Sequence, residues 1–283
     1  MISIIILSYN THDLLRNCLK SLFLHNKKDA IEVIVVDNAS HDESVKMVKK
    51  EFPLVMVIEN KENVGFAKGC NIGANQAKGE YLFFLNSDTE FKFDNTLSGL
   101  IELIQDKKVG AVGGMMLNPD TSYQRTFGSF YTLSHVSKML FLGEKSELSS
   151  QEYTNVQEVD WVSGGCMLVK KDVFTQIGGF DERFFMYVED VDICYRIKQQ
   201  GFRIVVDPKI HILHIGHGSS NRTFAITHIY KGLTLFYKKH RSSVEYFSLL
   251  ALLYLKAWLV IFFATIKGDK ELSQRYSKAL SSI

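Results

Sequence analysis

Short aliphatic runs that close in polar residues, each followed by a segment with helical spacing, recur through the N-terminal third of this 283-residue chain. That rhythm constrains the fold more than any other feature. Ile2–Leu7 is apolar at nearly every position, the pattern of a parallel strand covered on both faces. Leu14, Leu15, Cys18, Leu19, Leu22 and Phe23 follow at helix spacing. Glu32–Asp37 predicts a second such strand, Val55–Glu59 a third and Tyr81–Leu85 a fourth. Ser40 and Glu43 read as a capping box for the helix after the second strand. Gly65, Gly69 and Gly73 mark one face of a helix running to Ala77, where the missing Cβ lets sheet or ligand come close. This alternation predicts a doubly wound, mostly parallel sheet, and such sheets bind ligands beyond the carboxyl ends of their strands. The polar closures fall there: Ser8-Tyr9-Asn10, Asp37-Asn38, Asn60 to Asn63, and Asn86-Ser87-Asp88.

Past Leu100 the alternation loosens. Val109–Leu117 reads as a strand, and Asn118 to Glu158 as polar, irregular and substrate-facing. Trp161 to Phe185 is rich in glycine and aromatics, Glu189–Gln200 is helical, Arg203–Val206 and His211–Ile215 are short strands, and Thr223–His240 is a further helix. Hydrophobic residues make up 46% and prolines number 3, which excludes a disordered chain; a net charge of +2 points to no nucleic-acid partner. Four scattered cysteines, and Met1-Ile2-Ser3 leading straight into a strand without a secretion signal, imply reduced thiols in the cytoplasm.

Three clusters carry chemistry. Oxygen-rich Asn86-Ser87-Asp88 suits a hard divalent ion, Mg²⁺ or Mn²⁺, that also bridges to phosphates; its competing reading is ordinary turn chemistry. Glu189, Asp190 and Asp192 open a helix behind aromatic, glycine-rich sequence, so either they complement the helix dipole or one serves as a general base in a walled pocket. His211, His214 and His217 are spaced by three without the cysteines of a zinc finger. One neutral imidazole completing an oxygen-rich shell fits; His211 and His217 read as structural or surface residues. The first strand is followed by S-Y-N-T-H-D without a glycine, which disfavours a dinucleotide dehydrogenase and a nucleotidyltransferase.

Taken in order, "IIILSYN", "VVDNASHDES", "NVGFAKGCNIG", "YLFFLNSDTEF", the block from Val162 to Ile204, "LHIGHGSS" and "FYKKHR" resemble the inverting family 2 glycosyltransferases, over roughly Ile2 to His240. The block from Val162 to Ile204 looks most like the rhamnosyltransferase branch. The resemblance implies a GT-A fold: an α/β, doubly wound, mostly parallel sheet with a Rossmann-like nucleotide half (residues 1–117), an acceptor half (118–240) and C-terminal helices. It implies that Tyr9, Asn10, Asp37, Asn38, Asn63, Gly65, Phe66, Asn71, Asn86 and Ser87 line the nucleotide-sugar site, with Ser40 near and Asp37 on the base. Asp88 and His214 become metal ligands for Mg²⁺ or Mn²⁺. Asn86 stands where many members carry the first Asp of a D-x-D motif. Asp190 takes the catalytic base position, ahead of Glu189 and then Asp192. Trp161, Gly164, Gly165 and Glu189 border the acceptor, and Gln124-Arg125 falls in the acceptor loop. Arg196 and Lys239 are either stabilisers of leaving-group charge or surface and ion-pair residues.

The implied function is transfer of a sugar from dTDP-rhamnose or a UDP-hexose to a hydroxyl of a glycan or lipid-linked acceptor in cell-surface polysaccharide synthesis. The alternative is a nucleotide-sugar-binding protein without catalysis. Residues 241–283 form an appendage. Phe247 to Ile266 as a helix is roughly 30 Å long, enough to cross a hydrocarbon core. Lys256 in its middle costs about 2.5–3.5 kcal/mol on insertion. That favours a helix lying on the inner face of the cell membrane, or one packed on the domain or in a homodimer, over a true span.

Overall fold

The computed structural model describes residues 1–27, 30–94, 96–142, 147–148 (backbone only), 155–216 and 222–283. In chain order the first elements are β1 (Ile2–Ser8), α1 (His12–His25), β2 (Ile31–Asp37), α2 (Ser44–Glu51), β3 (Met56–Glu59), α3 (Phe66–Gln76) and β4 (Tyr81–Asn86). Next come β5 (Thr89–Glu90), α4 (Thr96–Ile104), β6 (Val109–Leu117), β7 (Tyr123–Gln124), β8 (Phe127–Gly128), α5 (Leu133–Phe141) and β9 (Glu147–Leu148). Then follow β10 (Gln157–Val159), β11 (Trp161–Val162), β12 (Cys166–Lys170), α6 (Lys171–Gln176), α7 (Glu189–Gln199) and β13 (Arg203–His214). Three helices close the chain: α8 (Arg222–His240), α9 (Ser243–Ile266) and α10 (Lys270–Leu280). Two compact units result. One comprises Met1–Phe130, Ser146–Glu182 and Asp190–Ser219; the other comprises Tyr131–Lys145, Arg183–Glu189 and Ser220–Ile283.

The first unit is built on a sheet of order β10-β13-β6-β12-β4-β1-β2-β3. Strands β4, β1, β2 and β3 run parallel, as do β6 and β13, while β12 is antiparallel between β4 and β6. The near-continuous apolarity of β1 has a direct cause. Ile2, Ile4 and Ile6 share a core with Leu15, Leu19 and Leu22 of α1. Leu7 and Ile5 face α3, where a Cβ on Gly69 would lie 2.3 Å from Leu7 Cδ1 and one on Gly73 2.6 Å from Ile5 Cγ2. Burying each such aliphatic chain is worth about 1.5–3 kcal/mol. The polar residues that end β1, β2 and β4 therefore share one edge of a rigid sheet.

Three local expectations are corrected. The capping box at Ser40 and Glu43 does not form: Ala39 and Glu43 adopt φ of 61° and 66°, so α2 begins only at Ser44, and Ser40 serves the loop instead. The stretch expected to be irregular contains α5, whose start is capped by Thr132 Oγ1 accepting from the His135 amide at 3.2 Å. The two short strands near Arg203 and His211 are one strand, β13, whose register shifts between Asp207 and His211 where Pro208 lacks an amide donor.

In the second unit α9 packs against α5, α8 and α10. Leu249, Leu253, Ala257 and Ala264 are its buried positions, whereas Val244, Phe247, Tyr254, Trp258, Phe262 and Ile266 are exposed. Lys256 lies over the Phe141 ring at 5.7 Å from its centroid. The helix is long and apolar enough to cross a membrane, yet one face of it is packed on protein.

Candidate active site

The loop after β1 and the loop after β2 are tied to each other. The Asn10 amide donates to Ser40 Oγ at 2.9 Å, and the His41 amide donates to Asn10 Oδ1 at 2.8 Å. Asn10 itself takes φ of 52°, a left-handed geometry that asparagine tolerates better than most residues. Asp37 is buried and uses one carboxylate oxygen, Oδ2, to accept from the Ser40 amide at 2.9 Å. Its other oxygen, Oδ1, is buried and has no hydrogen-bond partner among the described residues. A buried carboxylate oxygen without a donor is expensive, and a ligand N–H would satisfy it. Asn38 donates to Asn63 Oδ1 and to the Gly65 carbonyl, both at 3.2 Å, and accepts from Asn60 at 2.8 Å. Hydroxyls of Ser8, Thr11 and Ser87 form a buried chain with links of 3.1 and 3.0 Å, so Ser87 is held by the loop after β1. Tyr9 is half-buried beside them.

At the end of β4, Asp88 Oδ1 lies 3.2 Å from His214 Nε2. The pairing of β5 with the end of β13 brings them together, through Thr89 opposite His214 and the Ile215 amide donating to the Asp88 carbonyl at 2.9 Å. Asn86 Nδ2 is 3.4 Å from the same Nε2. His214 Nδ1 is engaged on its far side by Gln124 Oε1 at 2.7 Å. Among the described residues no group of three or more His, Cys, Asp or Glu side chains could hold a metal. Two protein ligands still fit a hard divalent ion that takes its remaining oxygens from water and substrate phosphates. The 3.2 Å gap agrees with the separation of about 3 Å between adjacent ligands of an octahedral ion with bonds of about 2.1 Å. Glu90, by contrast, turns to Lys92 at 2.7 Å, and His211 is half-buried against Phe93 and Tyr123. His217 lies outside the described residues.

The turn between β11 and β12 joins this corner to the head of α7. A Cβ on Gly165 would lie 2.6 Å from Asn86 Nδ2; one on Gly164 would lie 3.0 Å from the Phe66 ring and 3.6 Å from Asp190 Cβ. Asn86, Phe66 and Asp190 thus converge on two glycines that leave room between them. Asp190 Oδ1 accepts from the Val191 amide at 2.9 Å and Oδ2 from the Gly164 amide at 3.4 Å. Burial outweighs those donors and pushes its pKa up from 3.8 to about 6, although the residue as a whole is half-buried. Its neighbours differ. Asp192 is fully buried and ion-paired to Arg196 Nε at 2.8 Å, and Arg196 also donates to the Ile177 carbonyl at 2.8 Å. That fastens α7 to the turn after α6, the ion-pair reading of Arg196. Glu189 is buried at the first position of α7 and, like Lys239, belongs to the second unit.

Two expected lining residues do structural work. Asn71 grips the backbone of Phe180, accepting from its amide at 2.9 Å and donating to its carbonyl at 2.8 Å. Trp161 is buried and donates from Nε1 to the Ser129 carbonyl at 3.1 Å, which holds β8 against β11. Phe66, Phe84, Phe174 and Phe180 form an aromatic wall behind Asn71, with ring centroids 5.0 to 6.0 Å apart. Gln124, which the resemblance puts in the acceptor loop, contacts His214 instead, a pairing with no signal in the sequence. An open cleft of about 1020 Å³ lies at the opposite end of β4, lined by Tyr81, Lys170 and Phe202 among others, away from these residues.

The family model described as Glycosyl transferase family 2 matches residues 3–178, and one described as the N-terminal domain of galactosyltransferase matches residues 147–218. The chain is 30% identical over 229 residues to the O-antigen biosynthesis protein RfbC of Myxococcus xanthus, covering 78% of this chain but only 18% of that protein. It is 28% identical over 235 residues to the rhamnosyltransferase WbbL of Escherichia coli K12, covering 79% of this chain and 86% of WbbL. In fold it is similar to the mannosyltransferase PcManGT from Pyrobaculum calidifontis, solved in complex with GDP-Man and Mn²⁺. The TM-score is 0.59 at 17% identity, over 99% of this chain and 85% of that one.

Proposed function

From the premise that the chain belongs to glycosyl transferase family 2, we propose that it is an inverting enzyme acting on dTDP-rhamnose or a UDP-hexose, with Asp190 as its general base. The observation that carries the reading is the Asp190 carboxylate, raised to about 6 and meeting Asn86 and Phe66 at the Gly164-Gly165 turn. A base raised toward neutral pH is stronger than an ordinary carboxylate yet still ionised at pH 7. The acceptor hydroxyl gives its proton to Asp190 while its oxygen attacks the anomeric carbon. The bond from that carbon to the diphosphate breaks, its electron pair leaves on the nucleoside diphosphate, and displacement from the opposite face inverts the centre. A Mg²⁺ or Mn²⁺ ion held by Asp88 and His214 would offset the charge gathering on that diphosphate. The buried, unsatisfied Oδ1 of Asp37 suits the imide N–H of uracil or thymine, and Tyr9, Asn10, Asn38, Asn63, Gly65 and Ser87 enclose the nucleotide.

Rhamnose is favoured over other hexoses by similarity to WbbL, whose name states that activity. The acceptor is a glycan or a lipid-linked glycan. We assign α9 to the inner membrane surface: its exposed apolar face is flanked by Lys238, Lys239 and Arg241 at one end and Lys267 and Lys270 at the other. A thermal-shift panel of UDP-, dTDP- and GDP-sugars with and without Mn²⁺ tests the donor. Stabilisation by dTDP-rhamnose or a UDP-hexose that grows with Mn²⁺ is expected; stabilisation by GDP-sugars alone would refute the assignment of Asp37.

A further inference from the structure

We infer that Gln124 is a positioning residue that fixes the tautomer of His214 and so makes its Nε2 available as a ligand; the metal part of this inference rests on the proposed function above. The Gln124 amide touches His214 twice, with Oε1 2.7 Å from Nδ1 and Nε2 3.1 Å from the His214 backbone carbonyl. Oxygen and nitrogen of a side-chain amide are not distinguishable by shape, but their surroundings can decide. A backbone carbonyl only accepts, so the NH₂ group of Gln124 must face it. Oε1 must then face Nδ1, and because Oε1 also only accepts, Nδ1 carries the proton.

A longer chain with the same polarity reinforces that orientation. The Asp120 carboxylate accepts the Ser122 hydroxyl at 2.6 Å, and this contact holds the Asp120 pKa below its ordinary value. With its hydrogen committed, Ser122 Oγ accepts from the Asn118 NH₂ at 2.8 Å, which leaves Asn118 Oδ1 to accept from the Gln124 NH₂ at 2.7 Å. Every link runs in one direction, from His214 to Asp120.

The far side of the ring shows the consequence. In the neutral imidazole Nε2 bears a lone pair, 3.2 Å from Asp88 Oδ1. The Asn86 amide nitrogen, 3.4 Å from the same Nε2, can donate to that lone pair, and a cation at this corner would meet both Nε2 and Asp88. With the opposite tautomer, Nε2–H would donate to Asp88 and close the site on itself. Gln124 therefore holds the pair ready for a cation, in the way that outer partners orient metal-bound histidines.

The test uses the whole metal-free chain labelled with ¹⁵N-histidine, above the titration range of the imidazolium. Long-range ¹H–¹⁵N spectra are expected to show His214 as the Nδ1–H tautomer in the wild type and as a mixture in Gln124→Ala. Gln124→Glu, which keeps an acceptor at Nδ1, should restore the tautomer. Mn²⁺ titration followed by EPR should give about 10- to 100-fold weaker binding for Gln124→Ala, with thermal melts confirming the fold. An Nε2–H wild type, or a Gln124→Ala variant with unchanged tautomer, overturns the inference. If the tautomer responds as stated but Mn²⁺ binds His214→Ala as tightly as wild type, the metal reading fails and the tautomer lock stands.

Discussion

Replacing Asp190 by Asn should make this protein more stable and nearly inactive at once. Among the described residues the carboxylate oxygens accept the Val191 and Gly164 amides at 2.9 and 3.4 Å, against a burial that raises the pKa from 3.8 to about 6. A rise of roughly two units corresponds to about 3 kcal/mol of destabilisation of the ionised form, before discounting for partial exposure. Asn keeps an oxygen for the Val191 amide and surrenders the longer bond to Gly164, a loss of about 1 kcal/mol. The net expectation is a gain of about 1–2 kcal/mol at pH 7. The sign of its pH dependence follows from which state holds the proton. The folded protein binds it more tightly than the unfolded chain. Wild-type stability should therefore fall as pH rises from about 4 to about 6 and then level off, relative to Asp190→Asn, which lacks that slope. Denaturant unfolding of both proteins across this range measures the difference. Loss of the base should cut sugar transfer by about 10² to 10⁴, and wild-type transfer should rise with pH through about 6. If the two proteins have parallel stability profiles, the burial argument is wrong. If Asp190→Asn folds normally and transfers sugar at near the wild-type rate, Asp190 is not the base.

Asp37→Asn retains an acceptor for the Ser40 amide but loses a charged partner for the base. Its affinity for the donor nucleotide, read by calorimetry, should fall about 10- to 100-fold, since hydrogen bonds to charged groups are worth about 1.5–3 kcal/mol. Gly165→Ala places a methyl 2.6 Å from Asn86 Nδ2 and 2.9 Å from Met116 Cε. Displacing Asn86 should lower transfer at least tenfold, about 1.4 kcal/mol in the barrier, while circular dichroism stays unchanged; full activity would show that the Asn86 position is not needed. Trp258→Glu with Phe262→Glu puts two charges on the exposed face of α9. Co-sedimentation with anionic vesicles should drop severalfold while the thermal midpoint hardly moves, and unaltered sedimentation would remove α9 from the membrane.

What was legible in the sequence, and what was not, divides by the range of the interaction. The strands β1 to β4 were readable because their apolarity comes from being covered on both faces, a property each segment carries by itself. The glycine face of α3 was readable for the same reason: Gly69 and Gly73 are spaced by one helical turn whatever lies across from them, and Leu7 and Ile5 then fill the space. The capping box misled because the local pattern at Ser40 and Glu43 competed with a partner 30 residues earlier, the Asn10 amide, which takes the Ser40 hydroxyl.

At the site, residue types were readable but pairings were not. Asp88 and His214 meet only because β13 turns beside β5, and Gln124 reaches His214 from 90 positions away. The same logic gives Asn71 a structural part as well. Its amide suits a ligand as well as a backbone, and only the return of the chain at Phe180, 109 residues later, shows that both ends of the amide are taken. Asp190 and Asp192 make the sharpest case. They are two residues apart on one helix, so no periodicity tells a base from a structural carboxylate. Arg196 does: it neutralises Asp192 one helical turn on, whereas among the described residues Asp190 is held by backbone amides. Burial sets the proton affinity of Asp190, and that difference supports the proposal that it, and not its neighbour, takes a proton from a hydroxyl.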